Sequence, residues 1–144
     1  MLNEDFYDFQ AVRFNHVQRR KNTLLKVTKG DLRMFSRIDT VILNVKNLDD
    51  ARKWYQETLE LEEVFDGGNH VVFKVGQGET PITIIEGKTG ASAVKPILFS
   101  EAIEETQLKL KGLGVEVGSL EQDGTVTFFS FSDPDGNKFE VCHF

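Results

Sequence analysis

The chain has 144 residues, 40% of them hydrophobic and 28% charged, which is typical of one globular domain. Its net charge of −6 argues against a general nucleic-acid binder, because contacts with phosphates require an excess of basic residues. No apolar run approaches the roughly 18–20 residues of a membrane span, and the single cysteine, Cys142, excludes an intramolecular disulfide and favours a reduced, cytoplasmic setting.

Residues 1–33 differ from the rest of the sequence in charge and in pattern. They contain seven Lys/Arg and four Asp/Glu, a net of +3, so residues 34–144 carry a net of −9. Because no helix or strand periodicity organises them, we predict an N-terminal extension outside the folded domain. Lys29-Gly30-Asp31 could be encoded by purine-rich codons that resemble a bacterial ribosome-binding sequence. We therefore hypothesise that translation starts at Met34, that the preceding residues are translated leader, and that the domain spans residues 34–144.

The residues after the extension predict a strand, a helix and three further strands. The first strand is a β-rich stretch that alternates in part and ends at Val45, and Asp49 and Asp50 are good N-terminal residues for the helix. Glycines at positions 67–68 and 76–78 separate the later strands. The predicted elements are the strand Ile38–Val45, a helix near residues 49–59, and the strands Leu61–Phe65, His70–Val75 and Pro81–Ile85.

The same order of elements then recurs. The predicted elements are the strand Val94–Phe99, a helix near residues 101–112, and the strands Val115–Val117, Thr125–Phe131 and Lys138–His143. The offset that superposes Val45 on Phe99 also superposes Glu86 on Glu140. A repeat of this length, with strands and one helix in each unit, predicts two βαβββ modules.

Two stretches of the sequence resemble a known superfamily. Residues 38–45 (IDTVILNV), followed by DDARKWY at 49–55, resemble the opening of the vicinal oxygen chelate superfamily, which includes glyoxalases, bleomycin-resistance proteins and extradiol dioxygenases. Residues 129–141 (FSFSDPDGNKFEV) resemble its closing signature, and the resemblance covers residues 37–143. It implies an α+β fold in which two βαβββ modules form a curved, cup-like mixed sheet around a small-molecule pocket, with helices on the convex side.

Strand parity selects the side chains expected in that pocket. On the first strand Thr40, Ile42 and Asn44 share one face, opposite the all-aliphatic face that we assign to the helix. The phenylalanines of the last two strands are mostly expected in the core, although an inward ring could stack on a ligand. The predicted pocket residues are Thr40, Ile42, Asn44, Thr83, Val94, Phe129, Phe131 and Glu140.

The resemblance also implies four inward positions that hold a divalent metal ion in metal-dependent members. These positions fall on Thr40, on Val94 or a neighbour, on Thr83 or Glu86, and on Glu140. They supply one or two carboxylates and no histidine, whereas such ions need several nitrogen or oxygen ligands. We therefore expect no metal and no other cofactor; a bound ion would use Glu140, with Glu86 as a second ligand.

Two functions are the main alternatives at this point, and an interaction module with a vestigial pocket is a third. The first is a metal-independent protein of the bleomycin-resistance type that binds a small aromatic or cationic molecule. The alternative is a metal-dependent lyase, isomerase or dioxygenase of the glyoxalase type with a rearranged site. Glu140 is the best candidate for a catalytic residue, as a general base, but it could also bind a cationic or hydroxylated ligand or pair with a lysine. Open sheet edges further predict a homodimer.

Overall fold

Two four-stranded sheets and two helices form the described part of the chain. The structure is a computed structural model that describes residues 38–90 and 94–144. The predicted extension over residues 1–33 and the hypothetical start at Met34 lie outside these ranges. Neither helix of these ranges is long and apolar enough to cross a membrane. The elements are β1 (Val41–Val45), α1 (Leu48–Glu57), β2 (Glu62–Asp66), β3 (His70–Lys74), β4 (Ile82–Glu86), β5 (Ile97–Phe99), α2 (Ile103–Gly112), β6 (Glu121–Asp123), β7 (Val126–Ser132) and β8 (Lys138–His143).

The two sheets have the same topology. The first has the strand order β1-β4-β3-β2 and the second the order β5-β8-β7-β6. The first strand of each module pairs in parallel with its last strand, and the other pairs are antiparallel. The duplicated βαβββ arrangement predicted from the sequence is therefore confirmed. Each sheet is open, with two edge strands, and is not curled into a closed cup.

One predicted strand is wrong. Val115–Val117 forms a single bridge, from Val117 to Phe131, and the β6 ladder lies further along the chain. The β6 sequence Glu-Gln-Asp is exposed throughout, so it has no apolar alternation that would reveal a strand. Val115 and Val117 instead pack against the hydrophobic core. These two residues are apolar because they are buried, although they do not form a continuous ladder with a neighbouring strand.

The first helix begins at Leu48, one position before the predicted range, and Asn47 caps it in place of Asp49. Asn47 caps it, since its side-chain oxygen accepts a hydrogen bond from the Asp50 amide at 2.9 Å. Asp49 and Asp50 place negative charge in the first turn, which complements the helix dipole. Ala51 and Tyr55 are one turn apart and are both buried, so α1 packs this stripe against β3 and β4.

Tyr55 joins the cores beneath the two sheets. Its ring stacks on Phe73 of the first sheet at 5.5 Å between centroids and meets Phe139 of the second edge-on at 6.3 Å. All three side chains are fully buried. The sides of both sheets that face the helices therefore share one hydrophobic core, and we call the opposite side of each sheet its open face.

Candidate functional site

The predicted pocket residues of the first module share the open face of the first sheet. Ile42 lies beside Thr83 in the parallel register, and Asn44 lies beside Ile85. The Thr40 and Thr83 hydroxyl oxygens are 2.8 Å apart, which places Thr40 on the same face. Strand parity thus brings Thr40, Ile42, Asn44 and Thr83 together as the sequence predicted.

The threonine pair is internally hydrogen-bonded. The Thr40 hydroxyl lies 3.1 Å from the Pro81 carbonyl oxygen and donates to it. A hydroxyl has one hydrogen, so Thr83 donates to Thr40 in this arrangement. Thr83 is only 1% exposed. Both hydroxyls therefore have partners within the sheet, and neither is a strong ligand for a divalent ion.

Glu140 lies on the open face of the second sheet, where a lysine neutralises it. Its Cα partners are Ile97 on β5 and Ser130 on β7. The Lys95 ammonium donates to Glu140 Oε2 at 2.5 Å. The carboxylate side chain is 18% exposed, so this ion pair is partly withdrawn from water. Pairing with a lysine was one of the roles predicted for Glu140, and the structure has that contact.

The lysine–glutamate pair is the counterpart of the threonine pair. Ile42 pairs with Thr83 in the first sheet as Ile97 pairs with Glu140 in the second. Thr40 lies two positions before Ile42, and Lys95 lies two positions before Ile97. The parallel register therefore makes Lys95 equivalent to Thr40, and Glu140 equivalent to Thr83.

This equivalence replaces Val94 with its neighbour Lys95 and decides between Thr83 and Glu86. The position assigned to Val94 or a neighbour falls on Lys95, and Val94 precedes β5 with 63% of its surface exposed. The position left open between Thr83 and Glu86 falls on Thr83. Glu86 pairs with Val45, whose side chain packs in the core, and its carboxylate accepts from the Leu48 amide at 3.3 Å.

The four inward positions do not fit a divalent metal ion. Thr40, Thr83, Lys95 and Glu140 offer a single carboxylate, and an ammonium group already binds it. A lysine ammonium has no lone pair for a metal and repels a cation. Glu86 cannot supply a second carboxylate there, because it lies on the helix-facing side of its own sheet. Within the described ranges no group of three or more His, Cys, Asp or Glu side chains could hold a metal.

Phe129 and Phe131 do not line the open face. They are 1% and 3% exposed, and Phe131 stacks on Phe139 at 5.0 Å in the core. In the antiparallel register Phe131 lies opposite Phe139, whereas Ser130 lies opposite Glu140. The ring on Glu140's face is that of Phe128, which lies opposite Cys142. The two phenylalanines were therefore assigned to the wrong side of β7.

A cavity of about 820 Å³ opens beside these residues, at the end of the second sheet where β7 turns into β8. Lys95 and Lys138 contribute the two basic side chains of its wall, and Trp54 contributes an aromatic ring from α1. This cavity shares Phe131 with the predicted pocket but otherwise has different walls. Its lining residues are Trp54, Lys95, Leu113, Gly114, Val115, Glu116, Val117, Gly118, Ser130, Phe131, Ser132, Asp133, Pro134 and Lys138.

The turn between β7 and β8 fixes one wall of this cavity against the first module. The Tyr55 hydroxyl donates to Asp133 Oδ2 at 2.8 Å, and the Asn137 side-chain amide donates to the Asn44 carbonyl at 2.9 Å. Burial raises the pKa of Tyr55, and the Asp133 carboxylate raises it further. The aspartate and asparagine of the closing signature thus hold the start of β8, and with it Lys138, in place.

Both βαβββ modules match one protein family. The sequence model of the Glyoxalase/Bleomycin resistance protein/Dioxygenase superfamily matches residues 37–141. That match begins before β1 and ends within β8.

Solved structures of bacterial proteins have the same fold. A member of the Glyoxalase/bleomycin resistance protein/dioxygenase superfamily from Sphaerobacter thermophilus is 23% identical, with a TM-score of 0.67 over 76% of this chain and 98% of that one. The antibiotic binding protein TnmS3 from a Streptomyces species is 18% identical, with a TM-score of 0.67 over 76% and 96%. The fosfomycin resistance protein FosX from Listeria monocytogenes is 23% identical, with a TM-score of 0.63 over 76% and 93%. At these identities the likeness shows a shared fold and does not itself carry a function.

Proposed function

Because the chain belongs to the Glyoxalase/Bleomycin resistance protein/Dioxygenase superfamily, we propose that it binds a small molecule, and does so without a metal ion. The observation that carries this proposal is the Lys95–Glu140 ion pair, which occupies two of the four positions that the resemblance implied for metal ligands. The remaining two positions hold a hydrogen-bonded pair of threonines. Binding of an organic ligand therefore has to rely on hydrogen bonds, ion pairs and apolar contact.

The structural neighbours support a binding role. TnmS3 is an antibiotic binding protein and FosX is a fosfomycin resistance protein, so the shared fold binds a small molecule in at least one other chain. The cavity beside β7 and β8, at about 820 Å³, falls within the usual range for small-molecule sites. Its walls combine polar groups with the apolar surfaces of Trp54 and Leu113.

A thermal-shift screen of small metabolites, run on the full chain with and without EDTA, tests this proposal. A ligand at a hundred times its dissociation constant stabilises the native state by about 2.7 kcal/mol, which raises the melting temperature by several degrees. We expect hits whose shift is unchanged in EDTA. Hits that appear only with added Ni²⁺, Zn²⁺, Mn²⁺ or Fe²⁺, together with turnover of the hit, would instead favour the metal-dependent lyase, isomerase or dioxygenase.

We further propose that the protein works in the cytoplasm. We also propose that two copies associate through the edge strands. Ile42 on β1 and Ile97 and Phe99 on β5 leave 49%, 58% and 53% of their surfaces exposed, and all three lie on open faces. Exposed apolar side chains on edge strands favour pairing with a second chain. Light scattering at tens of micromolar should give the mass of a dimer, and Phe99→Glu should shift it to that of a monomer. A monomeric mass for the unmodified chain would contradict the dimer.

A further inference from the structure

The cavity beside β7 and β8 contains a basic side chain that no acid of the described residues neutralises. Lys138 makes no ion pair and no side-chain hydrogen bond with the rest of the described chain, whereas Lys95 donates to Glu140. Lys138 precedes Glu140 by two positions on β8, so its side chain leaves the sheet on the same open face. Lys95 uses one of its three ammonium hydrogens on Glu140 and retains two.

Two hydroxyl groups lie on the same face of the cavity. Ser132 lies directly opposite Lys138 in the antiparallel register, and Ser130 lies opposite Glu140. Both serines line the cavity. The missing side chain of Gly118 leaves room for one of them, since a Cβ there would come within 3.0 Å of Ser130 Oγ. Hydroxyl and ammonium donors thus line one end of the cavity.

The acidic groups near these donors are mostly engaged. Asp133 is 5% exposed and accepts hydrogen bonds from Tyr55, from the Asp135 amide, and from the backbone and side chain of Asn137. The carboxylate of Glu140 is held by Lys95. Glu116 lines the cavity at its exposed rim and forms no ion pair with either lysine. Asp133 and Glu116 are therefore the acidic groups among the described wall residues that have no ion-pair partner, and both lower the positive potential. Asp133 is buried and hydrogen-bonded, whereas Glu116 is exposed, so Glu116 is the one that can be changed without disturbing the turn.

We propose that this cavity binds the oxyanion of a small molecule, a carboxylate, phosphate or phosphonate, between Lys138, Lys95 and the serine hydroxyls. Charged donors make the strongest hydrogen bonds to such groups. The apolar part of the ligand contacts Trp54 and Leu113 on the other walls. This assignment rests on the proposed small-molecule function and reverses the ligand charge expected from Glu140 alone, because Lys95 neutralises that carboxylate.

Trp54 provides a direct signal for testing the proposal. It is the only tryptophan of the chain and lines the cavity, so its fluorescence and its indole N–H resonance report on occupancy. The probes are phenylphosphonate and benzoate, which carry an oxyanion on a ring, and benzylammonium, which carries a cation on the same ring. On the full chain we expect saturable changes with one or both oxyanions and none with benzylammonium. The comparison of the first two probes distinguishes a phosphonate site from a carboxylate site.

Two variants that remove opposite charges should change binding in opposite directions, which a general loss of folding would not do. Lys138→Gln should weaken binding of the oxyanion probe about five- to tenfold, and Glu116→Gln should strengthen it about two- to fivefold. Lys53→Gln is the matched control, because it removes the same charge from an exposed position on α1 beside Trp54 in sequence but outside the cavity. We expect no change in that variant.

Several results would overturn the oxyanion site. Tighter binding of benzylammonium than of the oxyanions would do so while leaving a small-molecule function intact. Weaker binding of the oxyanion probe in both Lys138→Gln and Glu116→Gln would also do so, because the loss would then not follow the sign of the charge removed. Equal losses of affinity for the oxyanion probe in Lys138→Gln and Lys53→Gln would mean that the net charge of the protein, and not the position of Lys138, determines binding. Saturation by none of the three probes would also contradict the site, whereas the proposed function itself depends on the separate metabolite screen.

Discussion

The two βαβββ modules share a topology but differ in chemistry at the same place. At the open face of the first sheet the equivalent pair is Thr40 and Thr83, two neutral hydroxyls at 2.8 Å. In the second sheet the pair is Lys95 and Glu140, two opposite charges at 2.5 Å. Both pairs bridge the parallel strands at the same point of the register. A duplicated backbone therefore retains the geometry of a site, while the side chains decide whether that site can hold a metal, an anion or neither.

The largest expected effect tests whether the modules fold as one unit. Phe73 and Phe131 are equivalent by register, because Phe73 follows the partner of Thr83 and Phe131 follows the partner of Glu140. Each is almost fully buried, so Phe73→Ala and Phe131→Ala should each cost about 3–5 kcal/mol of unfolding free energy. Tyr55 packs between the two sheets, so calorimetry should show a single transition in both variants. Two separate transitions would mean that the modules are independent.

A smaller loss of unfolding free energy is expected when the contact between Tyr55 and the turn between β7 and β8 is removed. Tyr55→Phe deletes the hydrogen bond to the buried Asp133 carboxylate and should cost about 1–3 kcal/mol in chemical denaturation. The expected loss is smaller than for the phenylalanines because the ring remains in the core.

The same variant has a signature at alkaline pH. The folded-state pKa of Tyr55 is raised above its ordinary value of 10.0, so the unfolded chain loses this proton first. Its contribution to stability is fully present below pH 10 and is lost as the pH rises from there toward the folded-state pKa. Melting curves above pH 10 should therefore fall more steeply for the unmodified chain than for Tyr55→Phe. Equal slopes would contradict a role for this hydroxyl.

The smallest effect separates the two open-face pairs by their response to salt. Double-mutant cycles with Thr40→Val and Thr83→Val should give a coupling of about 0.5–1.5 kcal/mol that salt leaves unchanged. Cycles with Lys95→Met and Glu140→Gln should give at most about 1 kcal/mol, because the Lys95 side chain is 40% exposed. That coupling should decrease between low and high salt. A salt-independent coupling for the charged pair would show that its attraction is not mainly electrostatic.

The sequence predicted the order of elements because that order depends on local patterns. Helix α1 has a capping asparagine and an apolar stripe, and most strands have alternating or continuous apolar runs. The Asp133–Asn137 turn could be located from its composition, although its contact with Tyr55 could not, since the two residues are 78 positions apart.

The site was harder to predict because a shift of one position moves a side chain to the other face of a sheet. A single constant offset between the modules failed for this reason. It superposes Glu140 on Glu86, whereas the register makes Thr83 the true counterpart. The starts of the two helices, Leu48 and Ile103, are one position further apart than this constant offset. The equivalent residues of the last strands are separated by still more positions. The spacing between the two helix starts predicts Lys95 as the counterpart of Thr40, so this signal was present in the sequence. The walls of the cavity could not be predicted in this way, because they depend on tertiary packing.

The metal content of the purified full chain tests most directly whether Lys95 and Glu140 have replaced a metal site. The chain is grown with Ni²⁺, Zn²⁺, Mn²⁺ and Fe²⁺ in the medium, and bound metal is measured by mass spectrometry beside the Glu140→Gln variant. An ammonium group already holds the only carboxylate of the four inward positions, so both proteins should carry far less than one ion per chain. One ion per chain in the unmodified protein, lost in Glu140→Gln, would contradict the replacement.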